Sequence, residues 1–217
     1  MVIGKNTVIG DGSSIQAGAV IGDNVKIGSN TTIFPRVTVY NDSIIGSNVR
    51  IHAGAVIGSD GFGYILAATH TKIPHVGDVV IEDDVEIGAN TTIDRGTIGS
   101  TVIGKGTKID NLAHIAHNNH LGQGCVMPAQ CGTAGSCRLG NYVIMGGQVG
   151  IANALTIGDG AKMTAKSGVM HNIPAGATYG GIPAMPHGEW MRQIASIKLL
   201  TERRKHLKVL ENKLQDK

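Results

Sequence analysis

Two residues in this sequence are spaced to do chemistry together. His117 and Gly135 lie 18 residues apart in IDNLAHIAHNNHLGQGCVMPAQCGTAGS, residues 109–136. The stretch belongs to a six-residue repeat, so that interval is three hexads. If three hexads complete one turn of a coil, Gly135 stacks one layer above His117, at the ~4.8 Å spacing of neighbouring strands. A histidine beside a bare backbone N–H suits acyl transfer: one group takes a proton while the other steadies an oxyanion. Asp110, Asn111, His114 and Asn118 add polar groups near this histidine in a repeat otherwise built from Ile, Val, Gly and small residues. Asn153, one further layer above Gly135, is a polar candidate by register.

The repeat must position these groups. Every sixth residue from Ile3 is aliphatic: Ile9, Ile15, Ile21, Ile27, Ile33, Val39, Ile45, Ile51 and Ile57. Four residues after each comes a small or β-branched one, such as Thr7, Ala19, Val25 or Thr31. One large and one small inward position per hexad predict a narrow prism of short parallel strands, with Gly or small polar residues at the corners. Residues 61–78, GFGYILAATHTKIPHVGD, break the register and predict a loop thrown out from the coil; a shorter slip follows around Thr97 to Ser100,. From Ile103 the pattern runs unbroken to Val169, and all the repeat segments together give about eight coils and a prism ~40 Å long. The expected organisation is an all-β solenoid over 1–173, a Pro- and Gly-rich linker over 174–188, and a C-terminal α-helix over 189–217. That last segment has Leu200, Leu207 and Leu214 seven apart, and Lys198, Arg203, Arg204, Lys205, Lys208, Lys213 and Lys217 make it basic,.

Composition agrees with a solenoid. Among 217 residues there are 32 Gly but only 2 Phe and 1 Trp, so the core must be layered aliphatic side chains,. A net charge of +3 gives no extended nucleic-acid surface,. No apolar run is long enough for an integral membrane segment, and MVIGKN is no secretory signal, so a cytoplasmic location is expected,. Cys125, Cys131 and Cys137, six apart on the small inward position, read as reduced core filler rather than nucleophiles,. His114 and His120 fall on neighbouring faces and point apart, so one chain does not gather them with His117 around a metal, and no metal site is expected. His52, His70, His75, His171, His187 and His206 read as surface or loop residues, and Gly61 and Gly63 as turn glycines.

The hexad pattern resembles that of left-handed parallel β-helix acyltransferases. The left hand rests on this resemblance alone, because the general rule for parallel crossovers gives the opposite one. IGSDGFGY (57–64), TTIDRGT (91–97), IDNLAHIAHN (109–118) and GGIPAMPHGEWMRQ (180–193) narrow the match. Together they look like the UDP-3-O-(3-hydroxyacyl)glucosamine N-acyltransferase family of lipid A biosynthesis. The resemblance covers essentially the whole chain. It implies homotrimers with sites in the clefts between subunits, a nucleotide-sugar acceptor, and acyl carrier protein as partner, its acyl-phosphopantetheine being the donor and no other cofactor being needed. His117 is then the general base, Gly135 the oxyanion donor through its N–H, and Asp110, Asn111 and His114 lie near the sugar. The amine would attack the thioester directly, with no covalent intermediate.

Two departures stand out. The family begins with a uridine-gripping domain of about one hundred residues, whereas this sequence starts in the repeat; it is expected to be a truncated form or to hold its acceptor differently. Ala154 stands where the family has a second cleft histidine, and Asn153 is its nearest polar substitute. Three other readings stay open: an acyl-CoA-dependent N-acyltransferase on another amino sugar, a catalytically weak trimeric scaffold, and a metal-dependent hydratase. A thioester donor panel separates the first two from the leading reading, and metal analysis separates the third. The acyl groove is expected to involve Lys166 to Met170, where Gly168 leaves room.

Overall fold

The computed structural model describes residues 1–181, 191–197, 199–200, 203–204 and 207. Residues 1–181 form one unit and 182–217 a second. The first unit is a left-handed parallel β-helix of hexapeptide repeats, a prism whose three faces are parallel sheets. The first face has nine strands, from Val2–Ile3 to Gly168–Val169; the second has eight, from Val8–Ile9 to Thr156–Ile157; the third has nine, from Ser14–Ile15 to Thr178–Tyr179.

Each hexad supplies one two-residue strand and one corner. The corner is made by a residue in the left-handed region: Asn6, Gly12, Gly18, Asn24, Asn30, Arg36, Asp42, Asn48 and Gly54 all have positive φ, six apart. Asn, Asp and Gly dominate because they bear this conformation at the least steric cost. The Ile column points inward and is buried from Ile21 onward, each side chain stabilising the prism by roughly 1.5–3 kcal/mol,. At the second inward position small hydroxyls donate to a carbonyl one coil on, as Thr31 Oγ1 does to Gly46 O at 2.8 Å. The three buried cysteines take the same place: Cys125 Sγ donates to Gly140 O at 3.2 Å and Cys131 Sγ to Gly146 O at 3.0 Å. Burial raises all three thiol pKa values.

The coil reaches further than periodicity through Val169 indicates. Thr178–Tyr179 pairs with Lys162–Met163 as a ninth layer on the third face. Residues 174–181 therefore belong to the prism, not to a linker. Tyr179, six after Ile173 and in register with Met163, is an exposed aromatic that the aliphatic pattern does not register. The rest of the expected linker, 182–188, lies outside the described residues. In the second unit, 191–197 are helical, with the Ser196 hydroxyl donating to Arg192 O at 2.8 Å. Leu200 and Leu207 are exposed; Leu214, Lys198, Lys205, Lys208, Lys213, Lys217, His187 and His206 lie outside the described residues. Among the described residues no helix is long and apolar enough to cross a membrane.

Both interruptions of the repeat leave the same corner. The longer one departs after the first-face strand Val56–Ser59 and returns at the second-face strand Asp78–Ile81; the shorter one joins Thr92–Asp94 to Ser100–Ile103. The long insertion is not structureless: Tyr64–Ile65 and Thr71–Lys72 pair as a small antiparallel hairpin. Its last residue by sequence, Asp78, is already in a strand, paired with Ser100.

Candidate active site

His117 sits at that corner, just after the first-face strand His114–Ile115. His114 pairs with Gly132 and Ile115 with Thr133, which sets His117 under Gly135. The contact is close: a Cβ built on Gly135 would fall 2.6 Å from His117 Nε2 and 2.7 Å from Cε1. The amides flanking Gly135 are used, Ala134 N–H donating to Ile151 O and Ser136 N–H to His117 O. Among the described residues the Gly135 N–H between them has no acceptor.

Asn118 decides which imidazole nitrogen carries the proton. Its amide is oriented by the backbone from both sides: Thr97 N–H donates to Oδ1 and Nδ2 donates to Ile98 O, each at 2.9 Å. His117 Nδ1 lies 3.1 Å from that same Oδ1, which only accepts, so Nδ1–H is the donor,. The lone pair is left on Nε2, the atom against Gly135. The short slip at 97–100 thus builds the loop that holds Asn118, and the amide of Asn118 is occupied within its own chain.

Two residues the sequence did not single out complete the neighbourhood. Asp94, 6% exposed, accepts from the Ser59 hydroxyl at 3.1 Å and lies 3.7 Å from His114 Nε2. Burial raises its pKa, opposed by His114, the Ser59 hydrogen bond, His117 and His75. His114 Nδ1 in turn meets Thr92 Oγ1 at 2.8 Å. His75 comes from the long insertion and, far from being a surface residue, is 6% exposed with its ring 5.2 Å from that of His117, edge to face. Its Nδ1–H donates to Ile73 O at 3.0 Å, and its Nε2 is buried with no partner among the described residues. Gly61 and Gly63 are not left-handed turn glycines. They are needed for close approach: a Cβ on Gly61 would lie 2.7 Å from His75 Nε2 and 2.8 Å from His117 Cβ, and one on Gly63 2.9 Å from His75 Cε1. Lys72 pins the strap by donating to Gly61 O at 2.6 Å.

The structure does not bring Asp110 and Asn111 to this group. They follow the third-face strand Lys108–Ile109 and occupy the opposite edge of the first face, in a groove with His52, Glu86, Lys108 and Met127. There Asp110 Oδ1 accepts from Asn111 N–H at 2.7 Å and Asn111 Oδ1 from Ala89 N–H at 2.6 Å. Adjacent sequence had grouped them with His117, although six-residue counting puts them one corner earlier. In the same groove His52 is no idle surface residue; it stacks on Phe34 and meets Glu86 at 2.8 Å, which lowers the Glu86 pKa. Asn153 is exposed, in the layer above Gly135, beside Ala154, whose N–H donates to Gly135 O. His120 lies on the second face, away from His114 on the first. Among the described residues no three His, Cys, Asp or Glu side chains are grouped to hold a metal ion.

Residues 1–35 and 25–59 match the bacterial transferase hexapeptide (six repeats), and 78–111 match the hexapeptide repeat of succinyl-transferase. Those segments of the chain are hexapeptide repeats. Over 37 residues the chain is 46% identical to the UDP-3-O-acylglucosamine N-acyltransferase of Parvibaculum lavamentivorans, a match spanning 17% of this chain and 10% of that protein. Among solved structures it is similar to UDP-N-acetylglucosamine acyltransferase of Francisella novicida, with 27% identity, TM-score 0.64, and 86% of this chain covering 71% of that one. The enzyme of the same name from Bacteroides fragilis superposes with TM-score 0.72 at 26% identity, over 80% of this chain and 67% of that one. The Moraxella catarrhalis UDP-N-acetylglucosamine O-acyltransferase is 29% identical, with TM-score 0.54 over 93% and 82%.

Proposed function

We propose that the chain is an acyltransferase acting on a nucleotide-linked amino sugar, with a carrier-protein thioester as donor. The observation that carries this reading is His117 Nε2 packed against Gly135, whose N–H has no acceptor among the described residues. In the reaction, the sugar amine attacks the thioester carbonyl and gives a proton to His117 Nε2. Gly135 N–H donates to the oxyanion that forms. The C–S bond then breaks, and the imidazolium returns its proton to the leaving thiolate, so His117 ends as it began. General-base help of this kind is worth ~10²–10⁴-fold and one oxyanion donor ~10²–10³-fold.

Three features support an acyl donor and an amine acceptor. The outward positions above His114 on the first face are Gly132, Gly150 and Gly168, a bare trough about 14 Å long at the strand-layer spacing,. A Cβ on Gly150 or Gly168 would meet nothing within 4 Å, so those glycines serve something other than the coil. The N-acyltransferase name of the curated relative favours the amine, while the UDP-N-acetylglucosamine acyltransferase names of the solved ones favour a nucleotide-sugar acceptor of either kind. In a homotrimer the neighbour's opposite edge could face the His117 corner, which is how Asp110 and Asn111 would join the site.

The test offers acyl carrier protein and acyl-CoA thioesters against UDP-3-O-acylglucosamine and UDP-N-acetylglucosamine, with products read by mass spectrometry. We expect an amide product from the carrier-protein donor and the free amine, falling at least 100-fold in His117→Ala. An ester product on UDP-N-acetylglucosamine, or equal turnover by both proteins, overturns this assignment.

A further inference from the structure

The second face beside the His117 corner carries a groove of different character. Three residues beyond each of His117, Gly135 and Asn153, the chain presents His120, Arg138 and Thr156. His120 pairs with Arg138, and Arg138 with Thr156, so the three stand in successive layers. They line a groove of about 400 Å³ whose floor is Gly122, Gly140 and Gly158. The floor is bare because the coils touch there: a Cβ on Gly122 would lie 2.6 Å from the Gly140 carbonyl carbon, and one on Gly140 2.7 Å from Asp159 N.

The two basic side chains of this groove stand without a direct ion pair, although Asp159 lines it with them. Neither the His120 imidazole nor the Arg138 guanidinium has a hydrogen-bond or ion-pair partner among the described residues. Elsewhere on the prism Arg50, Lys72 and Lys105 each face a carboxylate. Asp159, the one acid lining the groove, accepts from Asn141 N–H at 2.7 Å. Two donors of like sign, ~4.8 Å apart in register, disfavour each other's charge until an anion sits between them. The His120 imidazole shows the cost: burial and the Arg138 charge both lower its pKa.

We propose that this groove binds a phosphate ester or diphosphate, with Arg138 donating to two of its oxygens, His120 to a third and the Thr156 hydroxyl completing the set. A guanidinium matches such an anion with two parallel N–H donors. Resting on the acyl-transfer reading, the inference adds that the anion belongs to a substrate whose reacting end lies at His117 and Gly135 in the same layers. Two sources share the chemistry: the phosphate of the donor's phosphopantetheine arm and the diphosphate of the acceptor.

The test titrates the full chain with inorganic pyrophosphate while NMR follows the histidine rings, with His120→Gln assigning the signal. Sodium chloride at equal ionic strength is the control. We expect pyrophosphate to raise the His120 titration midpoint in wild type, and Arg138→Gln to weaken binding at least 10-fold without moving the melting temperature. In turnover, a KM rise of Arg138→Gln for the thioester donor alone assigns the phosphopantetheine phosphate; a rise for the acceptor alone assigns the diphosphate. A midpoint that moves no more with pyrophosphate than with chloride overturns the site, as do Arg138→Gln KM values unchanged for both substrates. Pyrophosphate binding through Arg138 in a protein that transfers no acyl group would instead sink the acyl-transfer reading and leave the groove standing.

Discussion

Replacing Gly135 with alanine adds one methyl group and tests the whole arrangement. Gly135 is not among the residues with positive φ, so alanine suits its backbone and the effect is purely steric. The new Cβ would fall 2.6 Å from His117 Nε2. That is roughly 0.9 Å short of ordinary contact. The imidazole is the far end of a side chain and can swing, so the coil itself yields little. An overpacking cost of about 1 kcal/mol corresponds to a drop of ~2–4 °C in melting temperature for a chain this size. Catalysis is less forgiving, since a displacement near 1 Å costs about 100-fold, or ~2.7 kcal/mol of barrier. The amide N–H survives the substitution, so the loss is in proton transfer and appears in kcat, not KM. Gly147→Ala is the control, twelve residues on at a different corner of the prism, where the nearest atom to a new Cβ is 3.8 Å away. Steady-state kinetics with melting curves on both variants decide. Gly135→Ala retaining kcat within threefold of wild type refutes the claim that His117 acts from its observed position.

Other expectations concern charge and access. Asp94 is held protonated by burial to higher pH than an exposed carboxylate. A raised carboxyl pKa contributes stability below the unfolded value that is lost as pH rises through the folded one, so Asp94→Asn should melt higher than wild type at pH 7 and flatten that decline; a lower melting temperature at pH 7 counts against it. Asn118→Ala frees the His117 tautomer, and kcat/KM should fall about tenfold with a changed pH profile while the acceptor KM stays put. A KM effect alone would return Asn118 to substrate binding. Native protein at pH 8 should leave Cys125, Cys131 and Cys137 unalkylated by iodoacetamide, all three reacting once unfolded, because burial raises each thiol,. Fast modification of any of them in the native state contradicts the core assignment.

The prism was legible because its rule is local: an inward Ile every six residues and a corner residue that accepts positive φ. The same count stacks Gly135 on His117 without any knowledge of the insertion. Asp94 had a usable signal, since counting strands puts both register breaks at one corner and Asp94 at the lip of the second. His75 had none: it is brought in by a 60–77 path with no period, and burial there depends on how Gly61 and Gly63 thread past two imidazoles. Asp110 and Asn111 sit at a different corner of their own chain from His117, because in a coil register outweighs closeness along the sequence and three residues are enough to turn a side chain onto another face.

The detour at residues 60–77 leaves no mark on the sheets it interrupts. Ile57 pairs with Ile93 above it, and Ile81 with Ile45 below, as though nothing intervened. Doubling the length of such a loop costs only about 0.6 kcal/mol in closure entropy. The staircase of aliphatic layers therefore sets no limit on what hangs from that landing. A new appetite for substrate can be acquired by rewriting one overhang, while every step beneath it stays where it was.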